Sequence, residues 1–283
     1  MPKLTRVEIS DHRQFMKRQQ AHEERYLPFI FRYLNAVYNL AAKTIEENGT
    51  DFYFRNINDL LKEKDLERIY RKIYIDITLD EARIQNSLFN LPKMMQKDII
   101  DDFASLIPFT DQNELSTWRL LLNDYINSRI GLRIVQVTQT TIKFVQKIIS
   151  ESIAAGDGAL VTARKLREKT DFNKNRSLAI ARTETVTAMN QGKYMAALSS
   201  KFEMEKRWIP ANDKRTRHSH LEFLNSGFIP MESLFSVSTR SGGEDAARYP
   251  GDESLSAENA INCRCSISFR LKRNSSGNVI TKI

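Results

Sequence analysis

Residues 261–271, Ile-Asn-Cys-Arg-Cys-Ser-Ile-Ser-Phe-Arg-Leu, alternate in the period of a strand that lays one face on a core. Cys263, Cys265, Ile267 and Phe269 fall on one face, and Arg264, Ser266, Ser268 and Arg270 take the other. Residues 204–210 (MEKRWIP) and 235–240 (FSVSTR) read as two more short strands upstream. Beyond Lys272 the chain turns polar, with Gly and Ser, and a frayed tail is expected over 272–283.

Before these strands the period is helical. Phe29, Ile30, Tyr33, Leu34, Val37, Leu40, Ala41 and Ile45 form one stripe within 13–47, and Asn48-Gly49 supplies a stop. Pro28 lies inside that pattern, where it should start or kink a helix. Leu60, Leu61, Leu66, Ile69, Tyr70, Ile73, Tyr74 and Ile77 give a second stripe. Thr78 with Glu81 has the form of a capping box and predicts a fresh helix start. Pro92 suits the first turn of a helix running through Ile99, Ile100 and Phe103.

Two further helices are expected at about 113–129 and 132–154, the latter with Ile134, Val137, Thr141, Val145 and Ile148 on one face. Aromatic residues on such stripes serve cores, and no function is read from them. Gly156-Asp157-Gly158 is the clearest punctuation, and the domain boundary is placed there. After it come a short basic helix over 159–168, a turn at Asn173 to Asn175, and a longer helix from about Arg176 to Ser199. The expected fold is mainly α: a helical region over 1–155, then an α+β module over 156–271 with short antiparallel strands.

Composition narrows the class. With 41% hydrophobic residues in 283, the chain can bury a core. It has no run of about 18 uncharged apolar residues and no signal-like start, so a cytoplasmic origin and no membrane partner are expected. Cys263 and Cys265 would sit with Cα atoms about 6.5 Å apart on a strand of roughly 3.3 Å rise per residue, near the limit of disulfide geometry. Reduced thiols are expected. Residues 1–155 carry 22 Lys and Arg against 21 Asp and Glu, whereas residues 156–283 carry 21 against 14. The positive potential therefore belongs to the C-terminal half, where it suits nucleic acid or an acidic protein partner, with a solubilising surface as the equal alternative.

Four clusters in that half stand in order: IARTETVTAMNQG at 180–192, W-x-x-x-x-D-x-R-T-R-x-x-H from Trp208 to His220, Tyr249-Pro250-Gly251-Asp252, and Ile261-Asn262-Cys263-Arg264-Cys265. This order, over roughly 160–270, resembles the C-terminal domain of phage Mu protein F-like minor head proteins, the phage head-morphogenesis domain. The resemblance maps onto Arg182, Thr183, Glu184 and Asn190 on the helix, and onto Asp213, Arg215, Thr216 and His220. It continues through Pro250 and Asp252 in the loop and Asn262, Cys263, Arg264 and Cys265 at the close. Two departures stand out: Arg217 where many relatives have Cys, and a longer segment, LEFLNSG, after His220. The resemblance implies a minor capsid protein of a tailed bacteriophage, made in the host cytoplasm and placed in the head. Its implied neighbours are the portal protein, other phage head proteins and double-stranded DNA.

Physically the clusters suit a polar brace. Arg182 can pair with Asp213 or Asp252, and Glu184 can answer Arg215 or Arg264. No catalytic residue is assigned, since the chain contains no P-loop, dinucleotide fingerprint or HExxH. His218, His220, Cys263 and Cys265 are ligand types that zinc accepts, but their H-x-H and C-x-C spacing is tight, so buried thiols are expected and zinc is the alternative. His12 and His22 are expected to be solvated. The DNA-facing candidates are Arg164, Lys165, Arg167, Lys169, Lys174 and Arg176. Two other classes remain open: a virion-borne metal-dependent nuclease or toxin-like hydrolase, and a DNA-binding protein outside the virion.

Overall fold

A computed structural model describes residues 4–60, 63–90 and 112–282. The expected helix at Pro92, with Ile99, Ile100 and Phe103, lies outside these residues, as does Leu61. Among the described residues the chain is mainly helical, and the strands are short, antiparallel and confined to the C-terminal part.

The long helices run through several punctuation marks. Helix α1 (Arg6–Leu60) breaks at Gly49, whose φ of 82° and ψ of 171° are non-helical, but it continues through Pro28. Pro28 lies on an exposed face of the helix. Helix α2 (Glu63–Asn90) passes through Thr78 and Glu81 without a new start. Their side chains are engaged elsewhere: Thr78 donates to the Ala188 carbonyl (3.2 Å), and Glu81 accepts two bonds from Arg18 (2.6 and 2.9 Å). Helix α3 (Gln112–Tyr125) runs through a π-helical segment (Ile126–Ile130) into α4 (Gly131–Ala154). Helix α5 (Ala159–Arg167) is followed by α6 (Thr170–Ser199). The expected turn at Asn173–Asn175 is helical, because Asn173 is buried and donates to Asn35 (2.9 Å) while Ser177 bonds its carbonyl (2.6 Å).

The remaining elements are β1 (Met204–Ile209), the short helix α7 (His218–Leu221) with a 3₁₀ turn (Glu222–Asn225), β2 (Ile229–Pro230), β3 (Phe235–Ser238), β4 (Glu244–Ala247), helix α8 (Ala257–Ala260) and β5 (Ser266–Leu271). Strand β1 is central in an antiparallel sheet of order β2-β1-β5, pairing Trp208 with Ile267 and Lys206 with Phe269. Strands β3 and β4 form a separate hairpin. The tail is tied down, not frayed: Lys282 N donates to Lys201 O (2.8 Å) and Glu203 N to Ile280 O (2.9 Å), around a turn at Asn274–Gly277.

The chain divides into two compact units, neither contiguous in sequence. One comprises residues 24–72 and 125–181, with a core of Tyr38, Ala41, Ala42, Ile45, Tyr53, Val145, Ile149, Ala163 and Leu166. The Gly156-Asp157-Gly158 turn joins α4 to α5 inside this unit, so it separates two helices within one body. Asp157 accepts from Ser152 (2.6 Å) and from Lys165 there.

The other unit comprises residues 1–23, 73–124 and 182–283. Its core gathers Trp208, Phe223, Phe235, Val237, Tyr249, Cys263, Cys265 and Ile267, with Trp208 stacked on Phe223 at 4.9 Å. In this unit α6 is buried on nearly every side from Thr183 to Ala197. Contact with α2 is close at Gly192, where an added Cβ would lie 2.3 Å from the Thr78 carbonyl oxygen and 3.0 Å from the Glu81 Cβ. Gly192→Ala should therefore lower stability by about 1–3 kcal/mol in urea titrations. Gly158→Ala, which meets no neighbour within 4 Å, is the matched control. Equal midpoints for the two variants would show that the helices are not in contact.

Candidate functional site

The site grows from one face of α6. Thr183 accepts a bond from the backbone N–H of Asn262 (3.0 Å), which sits in the left-handed region at φ 58°, a conformation asparagine tolerates. One turn later Thr187 donates to the Gly251 carbonyl (2.9 Å). Gly251 has φ 83°, and a Cβ there would come within 2.9 Å of the Thr187 hydroxyl, so no side chain fits. Asn190 then donates to the carbonyls of Pro250 (2.9 Å) and Cys265 (3.0 Å) and accepts from Ile267 N–H (3.0 Å). A single buried amide thus fastens helix, loop and strand by their backbones.

The charged motif residues pair differently from the sequence reading. Arg182 meets neither Asp213 nor Asp252: its Nε lies 3.3 Å from both Glu23 oxygens, and its Nη1 reaches Asn262 Oδ1 (3.4 Å). Glu184 accepts from the Tyr74 hydroxyl (2.7 Å) instead of answering Arg215 or Arg264. Arg264 pairs in two-point fashion with Asp213, through Nη1 and Nη2, the latter at 2.8 Å. Asp213 Oδ1 also accepts from Arg215 N–H (2.9 Å) and the Thr216 hydroxyl (3.1 Å), so the side chain of Arg215 stays exposed while its backbone does the bracing. Burial opposes ionisation of Asp213, but these bonds hold its pKa below the usual carboxylate range.

Asp252 is fully buried and accepts from Arg248 N–H (2.7 Å), Arg248 Nε (2.9 Å) and Ser254 N–H (3.1 Å). Burial works against its charge, and the Arg248 bonds prevail and lower its pKa. Nearby, Lys206 donates to the Arg248 carbonyl (3.1 Å) with its ammonium 5.3 Å from the rings of Tyr194 and of Phe235. Burial brings its pKa down to about 8, opposed by Asp252.

His220, Cys263 and Cys265 come together. Their ligand atoms lie within 4.8 Å of one another, and His220 Nδ1 is 3.4 Å from Cys265 Sγ and 3.7 Å from Cys263 Sγ. All three side chains are buried, and the His220 ring stands edge-on to Trp208. Burial disfavours a Cys265 thiolate, but hydrogen bonds from Cys263 and His220 hold its pKa well below the ordinary thiol value. The same bond, together with burial, pushes Cys263 well above it. His218 does not join: it is 94% exposed and lies 3.5 Å from Glu222.

Zinc in a closed structural site takes four protein ligands. Among the described residues this cluster supplies three, and the nearby carboxylate of Asp213 is committed to Arg264. The donor set falls one ligand short of a closed zinc site, and as it stands the two cysteine sulfurs lie in hydrogen-bond contact with the imidazole.

Sequence reading missed the polar helix that backs this site. His12 Nδ1 is 2.8 Å from the Ser266 hydroxyl, and burial lowers the His12 pKa, so His12 is not a solvated residue. Ser266, Ser268 and Arg264 are buried, so the second face of the cysteine strand is covered as well. The one signal available was Phe15, an aromatic side chain amid charges that is wholly buried.

The six proposed DNA-facing side chains are in varied states. Arg167 holds Glu46 by two bonds (2.5 and 2.6 Å), Lys165 holds Asp157, and Arg164 lies 3.9 Å from Glu168. Lys169 and Lys174 are exposed, and Arg176 points inward to Thr141 and Val137.

For the cysteine cluster, elemental analysis of purified chain should find far less than one zinc per molecule. Changing both cysteines to serine should cost about 1–3 kcal/mol, whether or not a chelator is present. One zinc per chain, lost on changing His220 to alanine, would establish a metal centre instead.

The region carrying these features matches the family model described as Phage Mu protein F like protein over residues 143–268. The uncharacterized protein YqbB of Bacillus subtilis (strain 168) is 20% identical over 242 residues, covering 84% of this chain and 72% of its own length. The NAD(+)--arginine ADP-ribosyltransferase EFV of Enterococcus faecalis (strain ATCC 700802 / V583) is 26% identical over 166 residues, 54% of this chain but 33% of that protein. No solved structure matches the chain. The ordered motifs, their shared brace on α6 and the family match agree, and residues 143–268 are a Phage Mu protein F-like domain.

Proposed function

We propose that this chain is a minor head protein of a tailed bacteriophage, made in the host cytoplasm and built into the head close to the portal vertex. The observation that carries this reading is the family match over residues 143–268, a family that suggests head morphogenesis. The geometry supports a structural role for the motif residues. Arg182, Thr183, Glu184, Asn190, Asp213, Asp252, Asn262 and Arg264 each spend their polar atoms on other parts of the same unit. A catalytic constellation would instead aim such groups at a space for substrate. Among the described residues, no helix is long and apolar enough to cross a membrane.

Portal and head proteins are the partners this role requires. Double-stranded DNA is the further partner, and the basic surplus after residue 155 supports it. The exposed Lys169 and Lys174 fit that contact better than Arg176 does. A separate enzymatic reading, ADP-ribosyl transfer, would rest on similarity to an ADP-ribosyltransferase of which this chain spans a third.

Gradient-purified heads from the phage or prophage that encodes the chain provide the test. The chain should co-sediment with heads at a few copies each and crosslink to the portal protein. Its absence from heads, with NAD-dependent modification of arginine by the purified chain, would overturn the structural reading.

A further inference from the structure

Among the described residues, the buried Arg207 and Arg264 and the part-buried Arg18, Arg182 and Arg248 each pair with a carboxylate: Arg207 with Glu8, Arg264 with Asp213, Arg18 with Glu81, Arg182 with Glu23 and Arg248 with Asp252. Arg176, in the unit built from residues 24–72 and 125–181, departs from that pattern. Its guanidinium donates to the Thr141 hydroxyl (2.8 Å) and the Val137 carbonyl (3.0 Å) and lies 5.6 Å from the centre of the Phe144 ring. Among the described residues no carboxylate stands within ion-pairing distance of it. Two of five N–H donors are used, and a mostly buried positive charge is left without a counter-charge.

The groups around it are hydroxyls. Tyr33 and Tyr38 of α1 lie close enough for their phenolic oxygens to act on the Arg176 charge, as does Tyr70 of α2. Tyr33 is 7% and Tyr38 1% exposed. The Tyr33 hydroxyl shares one hydrogen bond with that of Thr138, one helical turn from Thr141, which leaves one O–H of that pair unspent, and the Tyr38 hydroxyl has no hydrogen-bond partner. The acidic groups that act on Tyr33, Glu63 and Asp65, both stand at the start of α2, and Asp65 lies 3.1 Å from Arg68. Three helices, α1, α4 and α6, therefore bring one cation and these hydroxyls to a common region, and among the described residues no carboxylate pairs with the cation. Buried polar groups left in this condition call for an ion or ordered water.

We propose that this unit binds one halide ion, ordinarily chloride, between the Arg176 guanidinium and the hydroxyls of Tyr33 and Tyr38, with Thr138 alongside. The charge balance selects a monovalent ion: one guanidinium neutralises one chloride, whereas phosphate would leave a surplus negative charge in a buried place. A halide accepts hydrogen bonds from every side, which fits a lining of guanidinium N–H and hydroxyl groups. The ion would set the packing of α1, α4 and α6 within the unit, and it removes Arg176 from the DNA-facing set.

Thermal unfolding of the full chain, with sodium chloride exchanged for sodium gluconate at constant ionic strength, tests this. The melting temperature should climb with chloride and saturate, and bromide should substitute. Tyr38→Phe should raise the half-saturating chloride concentration about tenfold, the effect of losing one hydrogen bond to a charged group. Arg176→Gln should abolish the response; if that variant does not fold, Tyr38→Phe still decides. Crystals grown in bromide should show an anomalous peak beside Arg176. A chloride response absent from the wild type, or identical in Tyr38→Phe, would overturn the proposal and leave the hydroxyls to water.

Discussion

The fold of the Mu F-like site depends on charge pairing along one face of a polar helix. Glu8, Asp11, Arg18 and Glu23 meet Arg207, Lys193, Glu81 and Arg182 at 3.2, 2.7, 2.6 and 3.3 Å. These positions recur at helical intervals, with Phe15 buried among them and the Lys193 ammonium 5.8 Å from its ring. The sign sequence along the helix is answered by its opposite on β1, α6 and α2. Such pairs add little to stability over an apolar contact, but stranding one partner costs about 3–5 kcal/mol. A one-turn slip would strand several of these charges, with Glu81 facing Gln14 or His22 in place of Arg18, so the ladder works as a register device that seats the N-terminal segment beside the strands.

That constraint explains why the site can take up so many polar side chains. The α6 sequence RTETVTAMNQ would be solvent-facing in an isolated helix, yet here it is buried because Thr183, Thr187 and Asn190 reach backbone groups and Glu184 reaches the Tyr74 hydroxyl. The small Thr and Ala side chains allow close approach, and Gly192 permits the closest. Asn190 fixes Pro250, Cys265 and Ile267 at once, which places both cysteines against His220. The thiol–imidazole group is therefore a product of the brace.

Much of this was legible in the sequence. The alternation at 261–271 located β5, and the helical stripes placed α1, α2 and α4, because these are direct records of burial on one face. The ordered clusters identified the residues that meet in the brace. Their pairing was not legible: Arg182 finds Glu23, 159 positions away, and nothing in local spacing encodes a contact of that range. The capping box at Thr78–Glu81 and the turn at Asn173–Asn175 misled because tertiary partners, Ala188 with Arg18 and Asn35, outbid the local hydrogen bonds. The glycine pair at 156 and 158 marks a turn, and turns at domain boundaries look no different locally.

Native-state hydrogen exchange addresses the ladder most directly, since it resolves which backbone segments open together. The account predicts that amides of residues 8–23 in α1 are lost in the same cooperative opening as those of β1 and β5. It also predicts that Glu8→Gln lowers the opening free energy of all three segments together. Independent, low-energy opening of the N-terminal helix, with β1 and β5 still protected, would contradict it.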